Sequence, residues 1–290
     1  MKPAPFRLHR PSTVAEATAV FGEYGDDAKV LAGGQSLVPL LALRLTRFEH
    51  LVDLNGVTAL RGIERDDGAL RVGAMVRQAE AERSDDVATS VPLLHRALPH
   101  IGHFQIRNRG TVGGSTAHAD PASELPAVAS ALDAEMEVTG RTGVRTIAAR
   151  DFFQSMWTTA LEPDEILTAI RYPVWEPRGG FAVEEFARRS GDFAIAGVAC
   201  GVALTPQGTI ARAAIALFGM GTTPLRADAA ESALVGSPAE NADLRGAAAV
   251  AASATDPSDD IHGTAAFRRR VAAHLTERAL TRAIEEATSV

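Results

Sequence analysis

Hydrophobic and polar positions divide the chain into blocks of different period. After Pro11-Ser12-Thr13 comes an Ala-rich stretch with helical spacing, and Thr13 and Glu16 stand at capping-box distance. Gly25 and Asp26-Asp27 end that helix and lead into an apolar strand at 29–32. "LLALRL" predicts a helical turn, and "HLVDLN" a second short strand that stops at Asn55-Gly56. The first 56 residues therefore read as a β-α-β subdomain.

The signal changes from residue 57. Ile63, Leu70 and Val72 flank Asp67-Gly68, which predicts a hairpin. "SVPLLHRALPHIG" is helical, and a Gly-rich stretch then leads to a helix over 124–132 and a strand over 135–139. "LEPDEILTAIRYPV" predicts a closing strand, which defines a second α+β subdomain over 57–176. Pro and Gly cluster in "WEPRGG" at 175–180 and mark a boundary. Beyond it, β-like "FAVEEFARR", "AIAGVACGVALT" and "IARAAIALFGM" precede Ala-rich helices at 226–236, 241–253 and 264–288. Strands followed by helices predict a C-terminal α+β domain over 177–290.

Composition narrows the chemistry. The 290 residues are 46% hydrophobic and 22% charged, an ordinary globular balance, and the net charge of −7 disfavours nucleic acid or an anionic membrane as partner. Cys200 is the only cysteine, so this chain alone can hold neither a disulfide nor an iron–sulfur cluster, and "VACGV" predicts a buried thiol. "MKPAPFRLHRPS" lacks the apolar core of a signal peptide, and no apolar run reaches spanning length; a soluble, cytoplasmic protein is the expectation.

Two glycine motifs carry the candidate chemistry. "AGGQS" at 32–36 and "TVGGS" at 111–115 each place Gly-Gly just before a Ser, and each is expected to leave a strand. Glycine lets the backbone reach positive φ and lets an anion approach its amides. Brought together, the two would clamp a pyrophosphate, with amides from both sides and the hydroxyls of Ser36 and Ser115. Neither motif is a G-x-G-x-x-G fingerprint or a Walker loop. The second continues into "TAHADPASELPA", where His118, Asp120, Ser123 and Glu124 precede or enter a helix. Asp120 as cap, Pro121 at the first position and an acid in the first turn make a sound helix start. The same polar groups could also meet the hydroxyls of a ribityl chain or a ribose.

The pair "KVLAGGQSLVPLLALRL" and "RGTVGGSTAHADPASELPAVASALDA", with "HRPSTVAEA", "EILTAIRYP" and "ARRSGDFAIAGVA", resembles the FAD-binding medium subunits of molybdenum hydroxylases. These include the medium subunit of carbon monoxide dehydrogenase and the flavin domain of xanthine dehydrogenases. The resemblance covers nearly the whole chain. It implies an α+β fold: a two-part FAD-binding region of the vanillyl-alcohol-oxidase-like type, followed by a C-terminal antiparallel sheet with helices. It also implies that Ala32, Gly33, Gly34, Gln35 and Ser36 wrap the pyrophosphate from one side, and Thr111, Gly113, Gly114 and Ser115 from the other. Lys29 would sit near the adenosine end, and Asp120, Ser123 and Glu124 would contact phosphate, ribityl or ribose groups. Ile101, Ile106 and Leu167 would line the flavin or adenine, with Asp192 and Phe193 beside the isoalloxazine edge.

The implied function is an oxidoreductase subunit that passes electrons from iron–sulfur clusters through FAD to an external acceptor. Its implied partners are a large molybdenum-cofactor subunit and a small iron–sulfur subunit, in a heterotrimer or a dimer of heterotrimers. No side chain of this chain is assigned a catalytic role and none binds metal. Gln35 and Phe193 depart from the His and Tyr common in carbon monoxide dehydrogenases. Two rival readings are a stand-alone FAD-dependent oxidase or reductase, and an interaction protein that has lost its flavin.

Overall fold

The computed structural model describes residues 2–175 and 179–289. Residues 176–178, inside the boundary expected at 175–180, lie outside the described residues.

The first region holds strands β1 (Arg7–His9), β2 (Ala28–Leu31) and β3 (His50–Asp53), with helices α1 (Val14–Tyr24) and α2 (Leu37–Ala42) between them. Helical crossovers return the chain in the same direction, so the sheet is parallel, in the order β1-β3-β2. Thr13 caps α1 through Oγ1, which accepts from the Glu16 amide at 3.1 Å. The reciprocal half of the capping box is displaced by one residue: Glu16 Oε2 accepts from the amide and hydroxyl of Ser12 at 2.7 and 2.8 Å. Ala17, Phe21, Val52, Leu54, Val57 and Leu60 form this region's core and borrow Met75 and Ile166 from the next.

The second region is built on β4 (Ile63–Asp66), β5 (Ala69–Gly73), β6 (Glu135–Gly140), β7 (Gly143–Ala148) and β10 (Ile166–Pro173), in the order β4-β5-β10-β6-β7. β4 and β5 turn at Asp67 and Gly68, which both have positive φ (41° and 75°), as a tight hairpin of native twist requires. Helices α3 (Gln78–Glu82), α4 (Asp85–Ser90), α5 (Pro92–Ala97), α6 (Phe104–Arg109), α7 (Val112–His118), α8 (Glu124–Ala131) and α9 (Ala149–Phe152) belong to this region, with a small hairpin of β8 (Phe153–Ser155) and β9 (Thr158–Thr159). The strand expected before "TVGGS" is absent. Helix α6 precedes the motif, and Thr111 to Ser115 form the cap and first turn of α7.

The C-terminal region is an antiparallel sheet of β11 (Gly179–Phe186), β12 (Ala196–Leu204), β13 (Ile210–Phe218) and β14 (Leu225–Arg226). It carries helices α10 (Asp228–Leu234), α11 (Leu244–Ser253) and α12 (Ala265–Ser289). All nine residues of β12 are buried, because α12 packs on one face and α5 and α8 of the second region on the other. This explains why its sequence runs apolar without alternation. Cys200 lies in that strand, and burial pushes its thiol pKa up to about 12. One apolar cluster runs from Leu70, Leu125 and Leu167 through to Phe181, Ala199 and Phe218, so the second and third regions share a core.

Candidate functional site

The two glycine motifs meet at the seam between the first and second regions. A methyl group placed on Gly33 would lie 2.7 Å from the Gly110 Cα and closer still to the Arg109 carbonyl oxygen, so only glycine permits this backbone approach. From the other side, a methyl on Gly114 would fall 2.6 Å from Thr111 Oγ1 and 3.2 Å from the Ala32 Cβ.

Their chemistry differs. Gly34 has a φ of 75° and opens a loop in which the amides of Gly34, Gln35 and Ser36 find no acceptor among the described residues. Gln35 is exposed and folds its side-chain amide back onto the Gly33 carbonyl at 3.2 Å. In the second motif the amides are already used. Gly113 donates to the Ala74 carbonyl at 3.0 Å, Gly114 to Thr111 Oγ1 at 3.0 Å and Ser115 to the Thr111 carbonyl at 3.1 Å. The expectation of amides from both sides is therefore corrected: Thr111, capping α7, takes those of Gly114 and Ser115, and the Ala74 carbonyl takes that of Gly113. What the second motif presents is a close surface and the Ser115 hydroxyl. Ser36 Oγ and Ser115 Oγ are half-buried without a hydrogen-bond partner among the described residues.

Two residues that sequence reasoning missed hold the motifs in place. Asn55 donates from Nδ2 to the Ala32 carbonyl at 3.1 Å and to Asp53 Oδ1 at 2.5 Å. Arg77 donates to Asn55 Oδ1 and to the Arg109 carbonyl, joining the motifs from behind. Burial, reinforced by the nearby Arg109 and Arg61, holds the Arg77 pKa below its ordinary value. "LNG" read only as a strand end, and nothing in "AMVRQAEAE" marks Arg77 as a tie between regions.

The remaining candidates fall in four places. Lys29 is exposed on β2, with Nζ 5.7 Å from the centroid of the Phe48 ring. Past the end of α7, Asp120 Oδ1 accepts from the Ala122 amide at 2.9 Å; the helix cap is Ser123, and α8 starts at Glu124 rather than at Pro121. Glu124 is 93% buried, and desolvation pushes its carboxyl up to about 7. Ile101, Ile106, Asp192 and Phe193 come together: a methyl on Gly191 would sit 2.7 Å from the Gly102 carbonyl, so the 188–193 turn rests on the segment joining the two isoleucines. Phe193 is 64% exposed there, whereas Leu167 is buried in the second region's core.

Free amides at a positive-φ glycine, two unpartnered hydroxyls and a neighbouring lysine suit a pyrophosphate. A separate cleft of about 570 Å³, lined by His95, Arg96, His100 and Phe181, contains none of these groups. No helix among the described residues is long and apolar enough to cross a membrane.

Comparison with known proteins agrees with this chemistry. Residues 4–175 match the family described as "FAD binding domain in molybdopterin dehydrogenase", and residues 181–283 match "CO dehydrogenase flavoprotein C-terminal domain". The chain is 40% identical to the 6-hydroxypseudooxynicotine dehydrogenase complex subunit alpha of Paenarthrobacter nicotinovorans, over 99% of this chain and 97% of that one. It is also 40% identical to the carbon monoxide dehydrogenase medium chain of Afipia carboxidovorans, over 98% of each. The solved carbon monoxide dehydrogenase of Hydrogenophaga pseudoflava, which lacks the Mo-pyranopterin moiety, superposes with a TM-score of 0.96 at 38% identity, over 99% of each chain.

Proposed function

The chain belongs to the FAD-binding medium subunits of molybdenum-containing dehydrogenases, and from that premise we propose that it is the electron-exit subunit of its complex. It is a flavoprotein and an oxidoreductase subunit. In the proposed arrangement electrons arrive from iron–sulfur clusters of a small partner subunit and leave to an external acceptor, while a large subunit carries the molybdenum cofactor. The assembly is a heterotrimer or a dimer of heterotrimers in the cytoplasm. The single cysteine supports this division of labour, since the clusters must sit on another chain. Bound FAD supplies the redox chemistry, accepting electrons singly and passing them on in pairs.

The chain's own residues bind and orient. Gly34, Gln35 and Ser36 donate backbone amides to the pyrophosphate, and Ala32 and Gly33 set the loop's height. Thr111, Gly113 and Gly114 bring the facing backbone close, and the Ser36 and Ser115 hydroxyls complete the cradle. Lys29 neutralises charge at the adenosine end. Asp120, Ser123 and Glu124 meet phosphate, ribityl or ribose groups, and burial, by favouring the protonated form of the Glu124 carboxyl, lets it donate as well as accept. Ile101, Ile106 and Leu167 supply apolar surface to the rings, and Asp192 and Phe193 border the isoalloxazine. The chain divides into 1–56 and 57–176 for FAD binding and 177–290 for the C-terminal domain.

The observation that carries this reading is the convergence of 32–36 and 111–115 around free amides and hydroxyls. Its test is an absorption spectrum of the desalted protein after incubation with FAD or with FMN. A flavin spectrum retained with FAD and lost with FMN is expected. Equal retention of both would remove the pyrophosphate from the site.

A further inference from the structure

Trp157 stands at the tip of the β8–β9 hairpin with a φ of 57°, a left-handed backbone that bulky residues rarely adopt. Its side chain does not bury to offset that strain, for the residue is 61% exposed. Yet it is held at two points. Its amide donates to the Ala119 carbonyl at 3.1 Å, and its indole Nε1–H donates to Asp120 Oδ2 at 3.1 Å. Ala119 is itself left-handed, at 52°. Two strained non-glycine residues are thus joined by a hydrogen bond, and together they fix the direction in which an exposed indole faces.

It faces alongside His118. The two rings lie within 12° of parallel, with centroids 6.4 Å apart. The imidazole is half-buried and has no hydrogen-bond partner among the described residues. Burial holds its pKa below the ordinary value, which leaves an uncharged aromatic surface at neutral pH. His118 ends the helix that begins at the clamp, so it lies about 6 Å along the axis from Gly114 at the helical rise per residue. That places His118 about one helical turn from the clamp's second wall.

Resting on the FAD reading above, we infer that Trp157 and His118 form an aromatic platform on which one planar ring of the bound dinucleotide stacks. Asp120 acts as the positioning residue that locks the indole edge. Either the adenine or the isoalloxazine has the required flat π surface, and base-on-aromatic stacking is sequence-tolerant and strong.

The test uses the full chain in a Trp175→Phe background, where Trp157 is the sole indole emitter. Trp157→Ala should raise the Kd for FAD about tenfold or more, and Trp157→Phe, which keeps a ring but loses the Asp120 bond, should stay within about threefold. A purely structural tether would make Phe fail as Ala does, and that result would overturn the platform. An emission shift of Trp157 on adding ADP supports an adenine stack. A change in the visible band of bound FAD in Trp157→Ala that Trp157→Phe restores supports an isoalloxazine stack. If Trp157→Ala binds FAD as tightly as its parent, with the same flavin spectrum, the platform is refuted while FAD binding stands. Failure of the parent protein to bind FAD would instead sink the underlying function.

Discussion

The two Gly-Gly-Ser motifs look alike in sequence and behave as opposites in the fold. In Ala32–Ser36 the backbone is open: Gly34 turns left-handed, and three successive amides remain without acceptors. In Thr111–Ser115 the backbone is closed, with every glycine amide engaged and Gly113 pressed against Ala74. One pair of glycines frees donors for a ligand, and the other allows the second wall to stand close enough for that ligand to touch both. A composition match therefore says that glycine is needed, while the hydrogen-bond count says what it is needed for.

That contrast is easiest to break at Gly113. A methyl there would come within 2.6 Å of the Ala74 Cα, so Gly113→Val should cost about 3 kcal/mol or more. This would lower Tm by roughly 6–12 °C in thermal melts of the apoprotein; an unchanged melt would mean that the second motif is not a packing element. Gly34→Ala should act on the ligand more than on the fold. Its side chain would face Val38 Cγ2 at 3.1 Å and oppose the positive φ, tilting the free amides, and the Kd for FAD should rise about tenfold in calorimetric titration. Undiminished affinity in a folded variant would dissociate the open loop from the phosphates. The mildest changes are Ser36→Ala and Ser115→Ala, each removing one hydroxyl donor at about 1 kcal/mol, or roughly fivefold in Kd. Additive losses in the double variant would place both hydroxyls on the same ligand; an effect from only one would show that the walls do not share it.

Much of this was legible in the chain itself. Asp67-Gly68 announced its hairpin because both residues tolerate positive φ. The apolar run of β12 announced a strand and the buried thiol of Cys200, but not that helices from two regions would cover both its faces. The start of α8 at Glu124 matches the helix expected over 124–132, but the capping reading of Asp120 does not hold: its carboxylate accepts from the Ala122 amide in a turn before the helix, and the cap is Ser123, which makes no side-chain capping hydrogen bond. The character of "TVGGS" was hidden too. Whether Thr111 caps a helix or ends a strand depends on Ala74 and Val76, which lie more than thirty residues away. Asn55, Arg77 and Trp157 were invisible because each acts through a partner supplied by the tertiary fold.

The first region's small core is closed by Met75 and Ile166 of the second and tied to it at the clamp by the polar contacts of Asn55 and Arg77, whereas the second and third regions share a much larger apolar cluster. A seam with few buried apolar contacts opens locally at lower free energy than one with an extensive shared core. A ligand spanning the seam acts as a rivet by mass action, adding stability that grows with the logarithm of its concentration over Kd. The parallel sheet of residues 7–53 is then the part of the molecule whose amide exchange reports whether the rivet is in place.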